Sequence, residues 1–126
     1  MTIPSNYWQT LADENDKKYF LLTEDQIIDL IINKEYGEFM SVWRGLKAKA
    51  TRNSIKPIFK ILADLDRPEN FVYRIHCIEI LCRLLNLDGE QREHLENVFC
   101  GNPNKFDQKE FKKGLQTLET MLDHNH

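Results

Sequence analysis

The chain has 126 residues, 41% apolar and 29% charged, with a formal net charge of −3. Its length suits one domain, and that balance excludes a disordered tail. Five glycines and four prolines are too few for a turn-rich β-sandwich or barrel, so the composition leans towards helices.

At the N-terminus, Trp8, Leu11 and Ala12 predict one or two helical turns, and the apolar run Tyr19–Leu22 must dock on the body or meet a partner. The clearest helix start is Thr23, where Gln26 falls at the third helical position of a capping box and Leu22 and Ile27 can form a staple. This cap decides that the β-branched run 27–32 is helical, to about Lys34. Tyr36, Phe39, Trp43, Leu46 and Ala50 follow at spacings of 3, 4, 3 and 4, one apolar stripe of a helix from Glu35 to Ala50. Within it Gly45 costs about 1 kcal/mol relative to Ala, which marks it as a place where another helix crosses closely.

After the polar break 51–54, Ile55, Ile58, Phe59, Leu62 and Leu65 outline a third helix, with Pro57 tolerated in its first turn. The longest and most apolar helix starts near Pro68 and carries Phe71, Ile75, Ile78, Cys82 and Leu85, with Val72, Ile80, Leu81 and Leu84 widening the stripe. We expect it to be central and to stop at Asp88–Gly89. Residues 90–99 offer only Leu95, Val98 and Phe99 to a core, and so read as a peripheral helix. Phe106, Asp107, Glu110 and Phe111 then form a second staple and cap, starting a last helix with Phe111, Leu115, Leu118 and Leu122 inward.

The expected fold is therefore all-α: one antiparallel bundle of five to six helices, its body spanning 23–122, with 1–22 docked on it and 123–126 frayed. No sequence repeat marks a solenoid, so a helical-repeat arrangement stays open only as a shape.

Chemical signatures are few. No basic and apolar leader opens the chain, and no apolar run approaches the roughly 18 residues of a membrane span. Three cysteines, an odd number, fit free thiols used as small apolar groups in a reducing cytoplasm. The glycines are isolated, which excludes a phosphate-cradling loop, and neither Gly89 nor the 102–107 stretch has calcium-loop spacing. His76, Glu79 and Arg83 share a helix face and His94 follows Glu90 by one turn, but no Glu-x-x-His pair is present to build a bundle metal site. We expect no cofactor, no metal and no catalysis.

Charge is segregated instead. Residues 1–38 carry −5, residues 39–60 carry +6 and residues 61–126 carry −4. The acids Asp13, Glu14, Asp16, Glu24, Asp25, Asp29, Glu35 and Glu38, with Tyr7 and Trp8, make a candidate surface for a basic protein partner, since acids speed encounter and aromatics anchor interfaces. The basic block Arg44, Lys47, Lys49, Arg52, Lys56 and Lys60 offers the alternative, a corner that grips nucleic-acid phosphates. In size, charge and fold class the chain resembles immunity proteins and antitoxin-type inhibitors. That resemblance implies a non-catalytic protein that covers the active site of a basic toxin such as a nuclease.

Overall fold

Among residues 6–124, which the computed structural model describes, there are seven α-helices and no strands. The chain divides after Ser54 into two compact units.

The first unit holds α1 (Tyr7–Phe20), α2 (Glu24–Ile32), α3 (Ser41–Lys49) and a 3₁₀ turn at Arg52–Ser54. Both α1 and α2 pack on α3. The Thr23 capping box forms: the Gln26 N–H donates to Thr23 Oγ1 at 3.2 Å, and the Thr23 N–H donates to Gln26 Oε1 at 2.9 Å. Ile27, Ile28 and Ile31 of α2 and Val42, Trp43 and Leu46 of α3 are buried, which is the apolar content expected of a core.

Two expectations change here. The N-terminal segment forms a full 14-residue helix rather than one or two turns. The helix expected from Glu35 begins only at Ser41, because α2 ends in a left-handed cap. The Lys34 N–H donates to Ile31 O at 3.0 Å and the Glu35 N–H to Leu30 O at 2.8 Å, with Lys34 at φ 60°. Gly37, Phe39 and Met40 also have positive φ, so Tyr36 and Phe39 reach their positions from a loop. Tyr36 still packs on Trp43, with ring centroids 5.9 Å apart. Helical spacing survived here without a helix.

The second unit holds α4 (Ile55–Asp64), α5 (Phe71–Leu84), α6 (Gly89–Phe99) and α7 (Gln108–His124), with 3₁₀ turns at Pro68–Asn70 and Pro103–Lys105. Packing follows chain order: α5 lies against both α4 and α6, and α7 against α6. The centrality expected of α5 follows from its broad apolar surface, with Cys77, Ile78, Ile80, Leu81 and Cys82 all buried. Its end differs from expectation. α5 stops at Leu84 with Asn86, not Gly89, in the left-handed conformation at φ 53°. The Asn86 N–H donates to Arg83 O and the Leu87 N–H to Cys82 O, both at 3.1 Å. Asp88 caps α6 instead, in a capping box with Gln91, and Gly89 is the first helical residue.

The start of α7 matches the pattern. Asp107 Oδ1 accepts the Lys109 N–H at 2.8 Å, and the Phe106 and Phe111 rings lie 5.7 Å apart across the cap. Gly114 is where α6 and α7 cross, since a methyl group there would meet Val98 Cγ1 and the Phe99 ring. α7 continues to His124, so residues 123 and 124 of the tail expected to fray are helical, and 125–126 lie outside the described residues.

Candidate functional site

In the first unit, the expected partner-binding residues fall into two sets. Tyr7 and Trp8 start α1 and are 41% and 61% exposed, packed edge to face with centroids 5.1 Å apart. The two rings leave apolar area in water at the start of α1. Asp13 and Glu14 are exposed further along α1, Asp25 and Asp29 lie four residues apart on exposed α2 positions, and Glu35 and Glu38 are exposed in the loop before α3. At the end of α1, Phe20 and Leu21 are exposed as well, Leu21 by 86%.

Asp16 and Glu24 belong elsewhere. The Asp16 carboxylate accepts from Arg44 Nη2 at 2.7 Å, from Arg44 Nε at 2.9 and 3.1 Å, and from the Ser41 hydroxyl. The Arg44 guanidinium beside Asp16 holds its carboxyl below the usual range, and burial opposes that only in part. Arg44 also donates to Phe39 O, closing the loop with its left-handed residues. Glu24 accepts from the Thr51 N–H at 2.6 Å, from the Thr51 hydroxyl at 3.0 Å and from the Ser54 hydroxyl. Burial pushes its carboxyl upward, but these donors together outweigh burial and hold it below its ordinary value. Asp16 therefore fastens α1 to α3, and Glu24 fastens the start of α2 to the turn after α3. Both acids are internal fasteners, which removes them from the candidate surface.

The same pairing removes Arg44 from the basic corner, because its charge is already met by Asp16. Of the other basic residues, Lys47, Lys49 and Arg52 lie in the first unit and Lys56 and Lys60 on exposed positions of α4 in the second.

The crossing expected at Gly45 is present. A Cβ there would stand 3.1 Å from Tyr19 Cβ of α1 and 3.4 Å from Ile27 Cδ1 of α2. Tyr19 also fills the space over Gly37, whose φ of 67° and missing side chain let the Tyr19 ring approach the backbone. Asn15 adds a bond from its Nδ2 to Glu38 O at 2.8 Å.

In the second unit, His76 is half-buried on α5 and His94 exposed on α6, and among the described residues no group of three or more His, Cys, Asp or Glu side chains could hold a metal ion. All three cysteines are free thiols. Burial pushes Cys77 upward, Cys82 up to about 11 and Cys100 up to about 12, so each is a protonated, poorly nucleophilic thiol at neutral pH.

Arg74 was not anticipated. It is 1% exposed on α5, and its Nε donates to Phe99 O at 2.8 Å while Nη1 donates to Leu65 O at 3.0 Å and Arg67 O at 2.6 Å. The Phe106 ring stacks 4.5 Å from its guanidinium carbon. The sequence does carry one signal: Arg74 interrupts the apolar stripe Phe71, Ile78, Leu81, Leu85 at a core position.

Among the described residues no helix is long and apolar enough to cross a membrane. No family model, no curated protein and no solved structure matches the chain.

Proposed function

We propose that the chain is a non-catalytic binding protein of the cytoplasm, an immunity or antitoxin-type inhibitor. Its first unit docks a basic protein partner, such as a nuclease toxin, over that partner's active site. One observation carries this reading: the exposed Tyr7–Trp8 pair on a helix that also carries the exposed acids Asp13 and Glu14. Aromatic anchors supply the buried energy of such an interface, and Asp25, Asp29, Glu35 and Glu38 add the negative field that steers a cation-rich partner. With Asp16 paired to Arg44 and Glu24 bonded to Thr51 and Ser54, the docking surface reduces to Tyr7, Trp8 and these six acids.

The test is stopped-flow association with the protein encoded by the adjacent reading frame, expressed as a catalytically dead variant. Raising the salt from about 0.05 to 0.5 M is expected to slow association at least tenfold. Trp8→Ala is expected to speed dissociation by about 10-fold or more, the range of an interface hot spot. Equal association rates at both salt concentrations, or a Trp8→Ala complex that dissociates like the wild type, would overturn this reading.

A further inference from the structure

In the second unit, a cavity of about 370 Å³ opens between the end of α6 and the start of α7. It is bordered by Arg74, Asn97, Val98, Asn102, Lys105 and Phe106. That volume lies in the range of small-molecule pockets, roughly 300 to 1,000 Å³.

The charge of the cavity is unusual. Arg74 is almost wholly buried, yet among the described residues no carboxylate stands within ion-pair distance of it. Its Nε and Nη1 are used by three backbone carbonyls, while Nη2 has no acceptor among the described residues. Carbonyl oxygens satisfy donors without neutralising a cation, and the carboxylate that acts on the Arg74 charge, Glu69, does so from beyond ion-pair distance. Lys105 brings a second cation to the same space.

Two carboxylates, Asp107 and Glu110, also border the cavity, so its lining is formally neutral and preference for an anion rests on where the donors stand. Asp107 Oδ1 accepts the Lys109 and Glu110 N–H groups at the start of α7, and Glu110 pairs with Lys113 at 3.6 Å. Asn102 Oδ1 accepts the Asn104 N–H at 2.9 Å, so what Asn102 can offer a ligand is its amide N–H donors. Phe106 and Val98 give the cavity an apolar side.

We propose that this cavity binds a small organic anion. Its carboxylate or phosphate accepts from Arg74 Nη2 with Lys105 alongside, and its apolar body lies against Phe106 and Val98. The site is built wholly from the second unit, so it holds whether or not the first unit docks a partner.

The experiment is an amide-shift titration of the full chain with benzoate, phenyl phosphate and the neutral isostere benzamide. Benzoate or phenyl phosphate is expected to give saturating shifts at Gly101, Asn102 and Lys105 and at the Arg74 Nε–H, with benzamide at least tenfold weaker. The tighter of the two anions identifies the head group as carboxylate or phosphate. Lys105→Gln, an exposed position, is expected to weaken the anion at least threefold without moving the urea midpoint. The proposal is overturned if benzamide binds as well as the anions. It is equally overturned if neither anion saturates below about 20 mM, well above the Kd of even a weak specific complex, or if Lys105→Gln leaves anion affinity unchanged.

Discussion

Each unit is fastened by one arginine, and the two are compensated in opposite ways. Arg44 is partly exposed and meets a carboxylate, Asp16, whose hydroxyl neighbour Ser41 is fully buried. Arg74 is buried and meets only carbonyls: Phe99, the last residue of α6, and Leu65 and Arg67, just beyond the end of α4. Helix C-termini carry partial negative charge, so Arg74 is placed where two such ends converge and a third carbonyl joins them. The contrast teaches that a carboxylate partner makes a fastening that titrates, whereas backbone carbonyls make one that does not.

The largest expected effect tests the carbonyl-held arginine. Arg74→Met keeps the apolar stem but takes a donor from the carbonyls of Phe99, Leu65 and Arg67, the first two on buried residues, and should destabilise the chain by about 3–5 kcal/mol in urea unfolding. Arg74→Lys should recover only part of this, because an ammonium cannot reproduce the fork. A loss under about 1 kcal/mol for the methionine variant would mean that the carbonyls find other donors.

The next test weakens the carboxylate-held side without touching either charge. Gly37→Ala places a methyl on the Tyr19 hydroxyl and forces alanine into a left-handed backbone, so it should cost about 1–3 kcal/mol. Adding Tyr19→Phe should restore some of that loss, as the hydroxyl is the nearest obstacle. If the double variant is no better than the single, the cost lies in the backbone alone.

Acid separates the two arginines directly. Because the folded-state pKa of Asp16 is depressed, its contribution is complete above the unfolded value near 3.8 and is lost as pH falls below it. Protection factors in α1, which allow for the slower intrinsic exchange in acid, should therefore fall as the pH drops below about 4, and Asp16→Asn should flatten that fall at a cost of about 1 kcal/mol at neutral pH. Glu24, depressed in the same direction, should add its own loss at the start of α2 in the same window. Arg74 does not titrate in this range, so amides around its carbonyl partners should show no comparable acid step.

The smallest effect compares the helix ends. Lys34 closes α2 and Asn86 closes α5, both in the left-handed region. Asparagine tolerates that conformation better than lysine, so Lys34→Gly should stabilise by about 0.5–1 kcal/mol and Asn86→Gly by less. Equal gains, read from thermal midpoints, would remove the distinction between the two caps.

Elements governed by local chemistry were legible in the sequence. Thr23 with Gln26, and Asp107 between Phe106 and Phe111, announce helix starts through contacts spanning only a few residues. The all-helical class follows from such patterns, although the number of helices came out larger. Between Glu35 and Met40 spacing alone misled. Tyr36, Phe39 and Trp43 keep a helical interval across a loop with positive φ at Gly37, Phe39 and Met40. Long-range pairing was invisible: Asp16 meets Arg44 across 28 residues and Glu24 meets Thr51 across 27, and nothing local separates these acids from Asp13 or Asp25. Arg74 had a signal in its stripe position, but its carbonyl partners lie up to 25 residues away.

α1 contains no residue buried to the depth of the core, and it is held to α3 by the Asp16–Arg44 pair and by Tyr19 packed over Gly45. With no side chain of its own fully buried, it should be the first segment to open under native conditions. Trypsin at low dose should therefore nick the chain at the exposed pair Lys17–Lys18 ahead of every site on α5. A bound partner gripping Trp8 would slow that cut, so protease sensitivity at one dipeptide becomes a gauge of occupancy that requires no label.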